Sequence, residues 1–129
     1  MLTSGLGISS IKQIAINVQD LERATTFYRD ILALPFLFSA GTLAFFDCGG
    51  VRLMLTTPEN RELDHPSSIL YFSVPDINTA HDHLQACEVK FEDKPHLIAK
   101  MPGHDLWTTH FRDSEGNLLS LMSEVPQSS

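Results

Sequence analysis

The 129-residue chain is 43% hydrophobic and carries 16 acidic against 9 basic residues, for a net charge of −7. That size and apolar content suit one compact domain and leave no room for a second. The acidic balance and the scattered basic residues argue against nucleic acid or an anionic membrane as the main partner, and no apolar run reaches the length of a membrane span.

Met1 to Ser9 reads as a loose lead-in without the charged start and long apolar core of an export signal. Together with two distant cysteines, Cys48 and Cys87, this points to a reducing cytoplasmic compartment with both thiols packed as small hydrophobes. Ile11 to Val18 alternates as a strand. Ile14, Ile16 and Val18 fall on one face, and Ile11, Gln13, Ala15 and Asn17 on the other. Asp20 then serves as N-cap for a helix in which Leu21, Ala24, Tyr28, Ile31 and Leu32 recur at three- and four-residue spacing, ended by Pro35.

Phe36 to Ser39 and Leu43 to Asp47 flank Ala40-Gly41-Thr42 as a hairpin, and Cys48-Gly49-Gly50 turns into a strand from Val51 to Thr56. After the charged, proline-bounded connector Pro58 to Pro66, the plan repeats. A strand from Ser68 to Val74 leads to a helix capped by Asp76 with Ile77, Ala80, Leu84 and Cys87 inward, then to strands at Val89 to Phe91, Asp105 to Phe111 and Asn117 to Met122. Glu92 to Gly103 reads as an inserted loop with a short strand at His96 to Ile98, either a lid or a surface excursion. Pro126 to Ser129 reads as a frayed tail.

The two halves align at constant offsets. Val18 matches Val74 and Asp20 matches Asp76; in the closing hairpins Gly50 matches Gly116 and Met54 matches Ser120. An approximate internal twofold follows. With a helix over one face of each sheet, the opposite faces need another cover: the other half, a second subunit or a ligand. Those faces carry Gln13, Ala15, Asn17, Arg52, Met54 and Thr56 in the first half and Ile69, Tyr71, Ser73, Leu118, Ser120 and Met122 in the second. This mixture of amides, hydroxyls, thioethers and one guanidinium resembles the wall of an amphipathic pocket more than a dry interface.

Single residues admit competing readings. Gln13 is a ligand-binding amide, a buried amide satisfied by backbone, or a ligand of a displaced metal. Arg52 pairs with a carboxylate or phosphate on a ligand, or with an acidic residue at the pocket mouth. Met54, Met122 and Tyr71 contact a ligand or simply pack. Trp107 is a ligand-stacking surface, an interface anchor or a core residue. His81 and His83, two apart on a helix, do not share a face as a zinc pair does, and are placed on its solvent side or the edge of that side. His65, His96, His104 and His110 are scattered, although His104 with Asp105 could form an acid–base or metal site. Phosphate loops, close cysteine pairs and serine elbows are absent.

Three stretches carry a family resemblance: Ile11 through Leu32 with its Phe27-Tyr28-Arg29-Asp30, the strand Val51-Arg52-Leu53-Met54-Leu55, and Phe111-Arg112-Asp113-Ser114-Glu115-Gly116-Asn117. They resemble the glyoxalase, bleomycin-resistance and extradiol dioxygenase superfamily, the vicinal oxygen chelate fold, over residues 10 to 123. The resemblance implies an α+β fold of two βαβββ modules, 10–57 and 67–123, whose curved mixed sheets form a cup with helices on the outer faces. It also implies metal-ligand positions at Gln13, Met54, Ile69 and Ser120. An amide, a thioether, an aliphatic chain and a hydroxyl are a poor set for a catalytic divalent ion. The sequence therefore suggests a bleomycin-resistance-like protein with no metal at the usual site, binding a small amphipathic molecule through Gln13, Asn17, Arg52, Met54, Tyr71, Trp107, Ser120 and Met122. Two alternatives stand beside it. One is a metal-dependent lyase, isomerase or dioxygenase with a relocated site recruiting His104 or His110, and the other a structural or regulatory dimer module. A homodimer fits all three.

Overall fold

The computed structural model describes residues 6–8, 10–58 and 66–127, which leaves His65 outside. In chain order the elements are β1 (Gln13–Asn17), α1 (Leu21–Thr26) continuing as a π-helical turn (Phe27–Ile31), β2 (Phe36–Ala40), β3 (Leu43–Cys48), β4 (Val51–Thr56), β5 (Leu70–Ser73), α2 (Ile77–Ala86), β6 (His96–Met101), β7 (His104–Arg112) and β8 (Leu118–Pro126). They form two four-stranded sheets of the same plan, β1-β4-β3-β2 and β5-β8-β7-β6. In each, the first strand runs parallel to the last and the other pairs are antiparallel. The class is α+β with mixed sheets, and the repeat seen in the sequence is a repeat of topology.

Alternation decides which face is buried. Ile16, Val18, Ala44, Phe46, Leu53 and Leu55 form the helix-covered face of the first sheet, and Phe111, Leu119 and Leu121 that of the second. With Ala24, Phe27, Tyr28, Ile77, Leu84 and Val89 they make one continuous apolar cluster. The helices begin where a carboxylate satisfies their free amides. Asp20 Oδ1 accepts from the Arg23 amide at 3.1 Å, and Asp76 Oδ1 from those of Asn78 and Thr79 at 3.0 and 3.2 Å. These bonds, Thr79 first, hold the Asp76 carboxyl below its ordinary range.

The first helix is not a uniform α-helix. Leu32 donates back to the Phe27 carbonyl at 3.0 Å, five residues earlier, and the widened turn sets the adjacent Phe27 and Tyr28 both into the core. Ala33, at φ 57°, then ends the element two residues before Pro35.

Residues 92–103 depart most from expectation. The short strand expected at His96 to Ile98 within an inserted loop is a full edge strand, His96–Met101, paired antiparallel with β7 and joined to it through a turn at Gly103, φ 88°. Val89 to Phe91, expected as a strand, contributes one isolated bridge, Phe91 to Phe111. The second module thus regains the three-strand ending of the first. β8 runs on to Pro126, where a frayed tail was expected, because β7 pairs with it over its whole length.

Two side-chain placements also differ. Cys87 occupies the C-cap of α2 and is exposed, while Cys48 is half-buried. Burial, then the neighbouring Asp47 charge, raises the Cys48 thiol above its ordinary pKa, which disfavours a thiolate. His81 is buried against the Phe91 ring, centroids 4.3 Å apart, where the solvent side of α2 or its edge was expected; His83 is exposed. Among the described residues, no helix is long and apolar enough to cross a membrane.

Candidate functional site

The faces turned away from the helices are the ones the alternation assigned. Gln13, Ala15 and Asn17 stand opposite Arg52, Met54 and Thr56 in the β1–β4 register, and Tyr71 and Ser73 opposite Ser120 and Met122 in β5–β8. Most of these residues are exposed or half-buried, unlike the helix-facing rows.

On the first wall the polar groups form one assembly. Arg52 Nε donates to Gln13 Oε1 at 2.6 Å, and Gln13 Nε2 donates to Met54 Sδ at 3.6 Å. The Arg52 guanidinium lies 5.6 Å from the Phe45 ring centroid. Phe45 in turn stacks on Phe38 at 4.6 Å, with Phe38 half exposed. A cation held over an aromatic face and tied to an amide is pre-oriented, with little rotamer freedom left to lose. Asn17 sits at the end of this wall, its backbone amide donating to Ser67 Oγ at 3.2 Å and its backbone carbonyl accepting from Asn117 Nδ2 at 3.0 Å.

On the second wall Ser120 is fully buried, with its hydroxyl 3.0 Å from the Thr109 carbonyl. His110 is its register partner, and Tyr71 lies edge-on to the His110 ring at 5.9 Å. His110 Nδ1 is 2.9 Å from Asp93 Oδ2. Met122 is half-buried beside them, and Ile69 is an exposed aliphatic chain.

Trp107 stands apart from the other residues expected to touch a ligand. It alternates with Thr108 and His110 along β7 and packs against the helix-covered core. His104 and Asp105 point to opposite faces of β7. His104 Nε2 lies 3.3 Å from Glu124, and Asp105 3.9 Å from Lys100. Sequence reasoning missed Phe38, Phe45 and Asp93. Phe45 was recoverable, since it alternates with the buried Ala44 and Phe46. Asp93 was not, because its meeting with His110 depends on where the chain crosses the open edge of β7.

A cavity of about 740 Å³ lies elsewhere, between the end of the first helix and α2, lined by Ile31, Leu34, Cys48, Phe72, Thr79 and Leu84 among others. The repeat explains it. Arg23 and Glu115 fill the equivalent space in the other half with an ion pair, Nε to Oε2 2.7 Å, where the alignment places Thr79 and Gly49 here.

A family model, described as Glyoxalase/Bleomycin resistance protein/Dioxygenase superfamily, matches residues 10–121. The chain belongs to that superfamily. Uncharacterized protein YraH of Bacillus subtilis is 28% identical over 123 residues, 84% of this chain and 94% of its own length. Metallothiol transferase FosB of Staphylococcus epidermidis is 26% identical over 119 residues, 88% of this chain and 81% of that one. Among solved structures, lactoylglutathione lyase from Agrobacterium tumefaciens superposes with a TM-score of 0.72 at 25% identity, across 90% of this chain and 94% of the other. A transferase and a lyase on one scaffold show that superfamily membership leaves the reaction open.

Members of this superfamily commonly hold a divalent ion, and the resemblance assigns its ligand positions to Gln13, Met54, Ile69 and Ser120. These residues do not fit one. Gln13 gives its carbonyl oxygen to Arg52, so a guanidinium already supplies positive charge there. Ser120 spends its hydroxyl on backbone carbonyls, and Ile69 has no donor. A relocated ion shared by His104 and His110 does not fit either, for six residues of strand separate them by about 20 Å. Among the described residues no group of three or more His, Cys, Asp or Glu side chains is placed to hold an ion.

Proposed function

We propose that this superfamily member binds a small amphipathic organic molecule in the cup, with no metal at the four equivalent positions. An anionic group sits at Arg52, an aromatic or aliphatic body lies along Phe38, Phe45 and Met54, and Tyr71 and Met122 form the facing wall; Ser120, fully buried, offers a ligand no surface. The observation that carries this reading is the Arg52–Gln13 bond of 2.6 Å over the Phe45 face. It puts a fixed cation, in place of carboxylates and imidazoles, at the centre of the first wall. A charge-assisted hydrogen bond from such a group contributes about 1.5–3 kcal/mol.

The exposed apolar rings support a second copy as the cover. Phe38 is 50% and Tyr71 47% exposed, and a cup made of two such walls removes both from water. The test is elemental metal analysis of untagged protein never exposed to chelator, run beside a thermal-shift screen of small aryl and alkyl carboxylates. No stoichiometric metal and a raised melting temperature with carboxylates are expected. About one iron, manganese, nickel or zinc per chain in the cup overturns the reading.

A further inference from the structure

His110 differs from the other described histidines in what its ring is tied to. His104 reaches Glu124 through Nε2, His96 Nδ1 meets the Lys94 carbonyl at 2.8 Å, and His81, packed under Phe91, has Nδ1 3.4 Å from the exposed carboxylate of Asp82. Only for His110, among the described residues, is Nδ1 taken by a carboxylate that is itself fixed. Asp93 Oδ2 lies 2.9 Å from His110 Nδ1, while Oδ1 accepts from the His110 amide at 2.7 Å and from Thr109 Oγ1 at 2.9 Å. Three bonds from two adjacent residues of β7 leave this carboxylate one orientation. Burial alone would raise the Asp93 carboxyl, but the bonds from the His110 amide and ring and from Thr109 outweigh it and hold the group below its ordinary range. With a carboxylate as its partner, His110 Nδ1 is the hydrogen-bearing nitrogen, and in the neutral ring Nε2 then holds the lone pair.

The position matters as much as the geometry. His110 is the register partner of Ser120, the residue at the last of the superfamily's four ligand positions. It lies on the cup face with a side chain 20% exposed, and Tyr71 covers one edge of the ring. A base oriented by a carboxylate thus stands beside the place from which metal-competent side chains are missing.

We propose that His110, oriented by Asp93, is a general base in the cup, acting on small carbonyl compounds that bear an acidic C–H and an anionic group. The inference rests on the cup reading given above. Nε2 takes the proton from the carbon next to the carbonyl, and the C–H electron pair moves to form the enolate, with charge on the carbonyl oxygen. Asp93 stabilises the imidazolium, which returns the proton to carbon or to oxygen, so the step is an exchange or a keto–enol isomerisation and needs no co-reactant. An imidazole is a weak base towards carbon, so the carbon acid must be one that a neighbouring carbonyl activates. His110 is the catalytic residue and Asp93 a positioning residue.

The experiment uses the full chain in deuterium oxide with 3-benzoylpropionate, which joins an aryl ketone, an acidic methylene and a carboxylate. Binding is followed by saturation-transfer NMR and exchange by loss of the methylene proton signal. The expected result is binding with at least 10²-fold faster exchange than in the His110→Gln protein, in keeping with the ordinary contribution of a positioned base. Asp93→Asn is expected to keep the probe affinity and slow exchange about tenfold or more. In ¹⁵N-histidine spectra the same variant loses the fixed preference for hydrogen on Nδ1 of His110, a change that a merely edge-capping carboxylate has no reason to produce. Near-ultraviolet circular dichroism confirms that both variants are folded. If the probe binds but exchanges no faster than with His110→Gln, the base is overturned and the cup reading survives. If it does not bind, the cup reading fails for this class of ligand and the proposal fails with it.

Discussion

Tyr28 donates its phenolic hydrogen to Asp113 Oδ2 at 2.7 Å across 85 positions of sequence, and both residues are buried. This bond ties the first helix to the closing turn of the second module. The same carboxylate accepts from the amides of Glu115 and Asn117 at 2.8 Å each and from Asn117 Nδ2 at 3.0 Å. Burial first, then the Asp113 charge, holds the phenol far above its ordinary pKa, so it stays a donor throughout the usual range. Tyr28→Phe keeps the ring and removes one donor from a buried carboxylate. The expected cost is about 1–3 kcal/mol, read in urea unfolding as a lower midpoint at unchanged slope.

Beside that bond, the Glu115 side chain is 1% exposed and accepts from the amides of Gln19 and Asp20, both at 2.9 Å, and from Arg23 Nε at 2.7 Å. The Arg23 bond is the largest influence, and the carboxyl falls to about 2 against the pull of its own burial. A carboxyl depressed in the folded state contributes stability that is present above its unfolded pKa, near 4.5, and is lost as pH falls through the folded one. Stability should therefore drop between about pH 5 and pH 2, by roughly 3 kcal/mol from this group. Glu115→Gln should be less stable at pH 7 and show a flatter acid limb in thermal melts.

Two neighbouring threonines should respond with opposite signs. Thr108 Oγ1 is buried without a hydrogen-bond partner, whereas Thr109 Oγ1 bonds Asp93 at 2.9 Å. An unsatisfied buried hydroxyl is a cost, and a methyl group of similar size removes it. Thr108→Val is expected to stabilise by about 0.5–1 kcal/mol and Thr109→Val to destabilise by about 1 kcal/mol or more. Differential scanning calorimetry of the two variants decides the matter; the same sign for both would mean that size, not hydrogen bonding, governs this part of β7.

Much of this architecture could be read before the fold was known, and the reasons are physical. Strand side chains alternate, so once Ile14, Ile16 and Val18 were assigned to the helix, Gln13, Ala15 and Asn17 had to line the cup. The repeat then fixed the second wall. The same count, by twos from Phe111, puts Trp107 on the core face and decides among its three readings. His-Leu-Ile-Ala-Lys-Met has no clean alternation, because both its faces stay partly open at a sheet edge, and so only His96 to Ile98 of β6 read as strand. The Asp93–His110 contact spans 17 positions and arises only from the fold of that edge.

The solution mass tests the cover proposed for the cup. One chain weighs 14.4 kDa, and light scattering coupled to size-exclusion chromatography should return twice that value at micromolar concentration. Tyr71→Glu places a charge on a wall that the second copy buries, and should shift the equilibrium toward the single chain at neutral pH. A native monomer across the concentration range would leave Phe38 and Tyr71 for a ligand alone to cover.

Arg52 gives the sharpest test of ligand polarity. Its side chain is exposed and its partners are Gln13 and the Phe45 face, so Arg52→Met removes the charge while retaining an unbranched stem over the ring. Global stability should change by less than about 0.5 kcal/mol, as for surface substitutions generally. Affinity for aryl carboxylates should fall by about 10- to 100-fold, the equivalent of one lost charge-assisted hydrogen bond, and affinity for the corresponding neutral amides should hardly move. Titration calorimetry with matched acid and amide pairs separates the two. Equal losses for both would assign Arg52 to holding Gln13 and Phe45 in place, and would move the search for the anion-binding group to the facing wall.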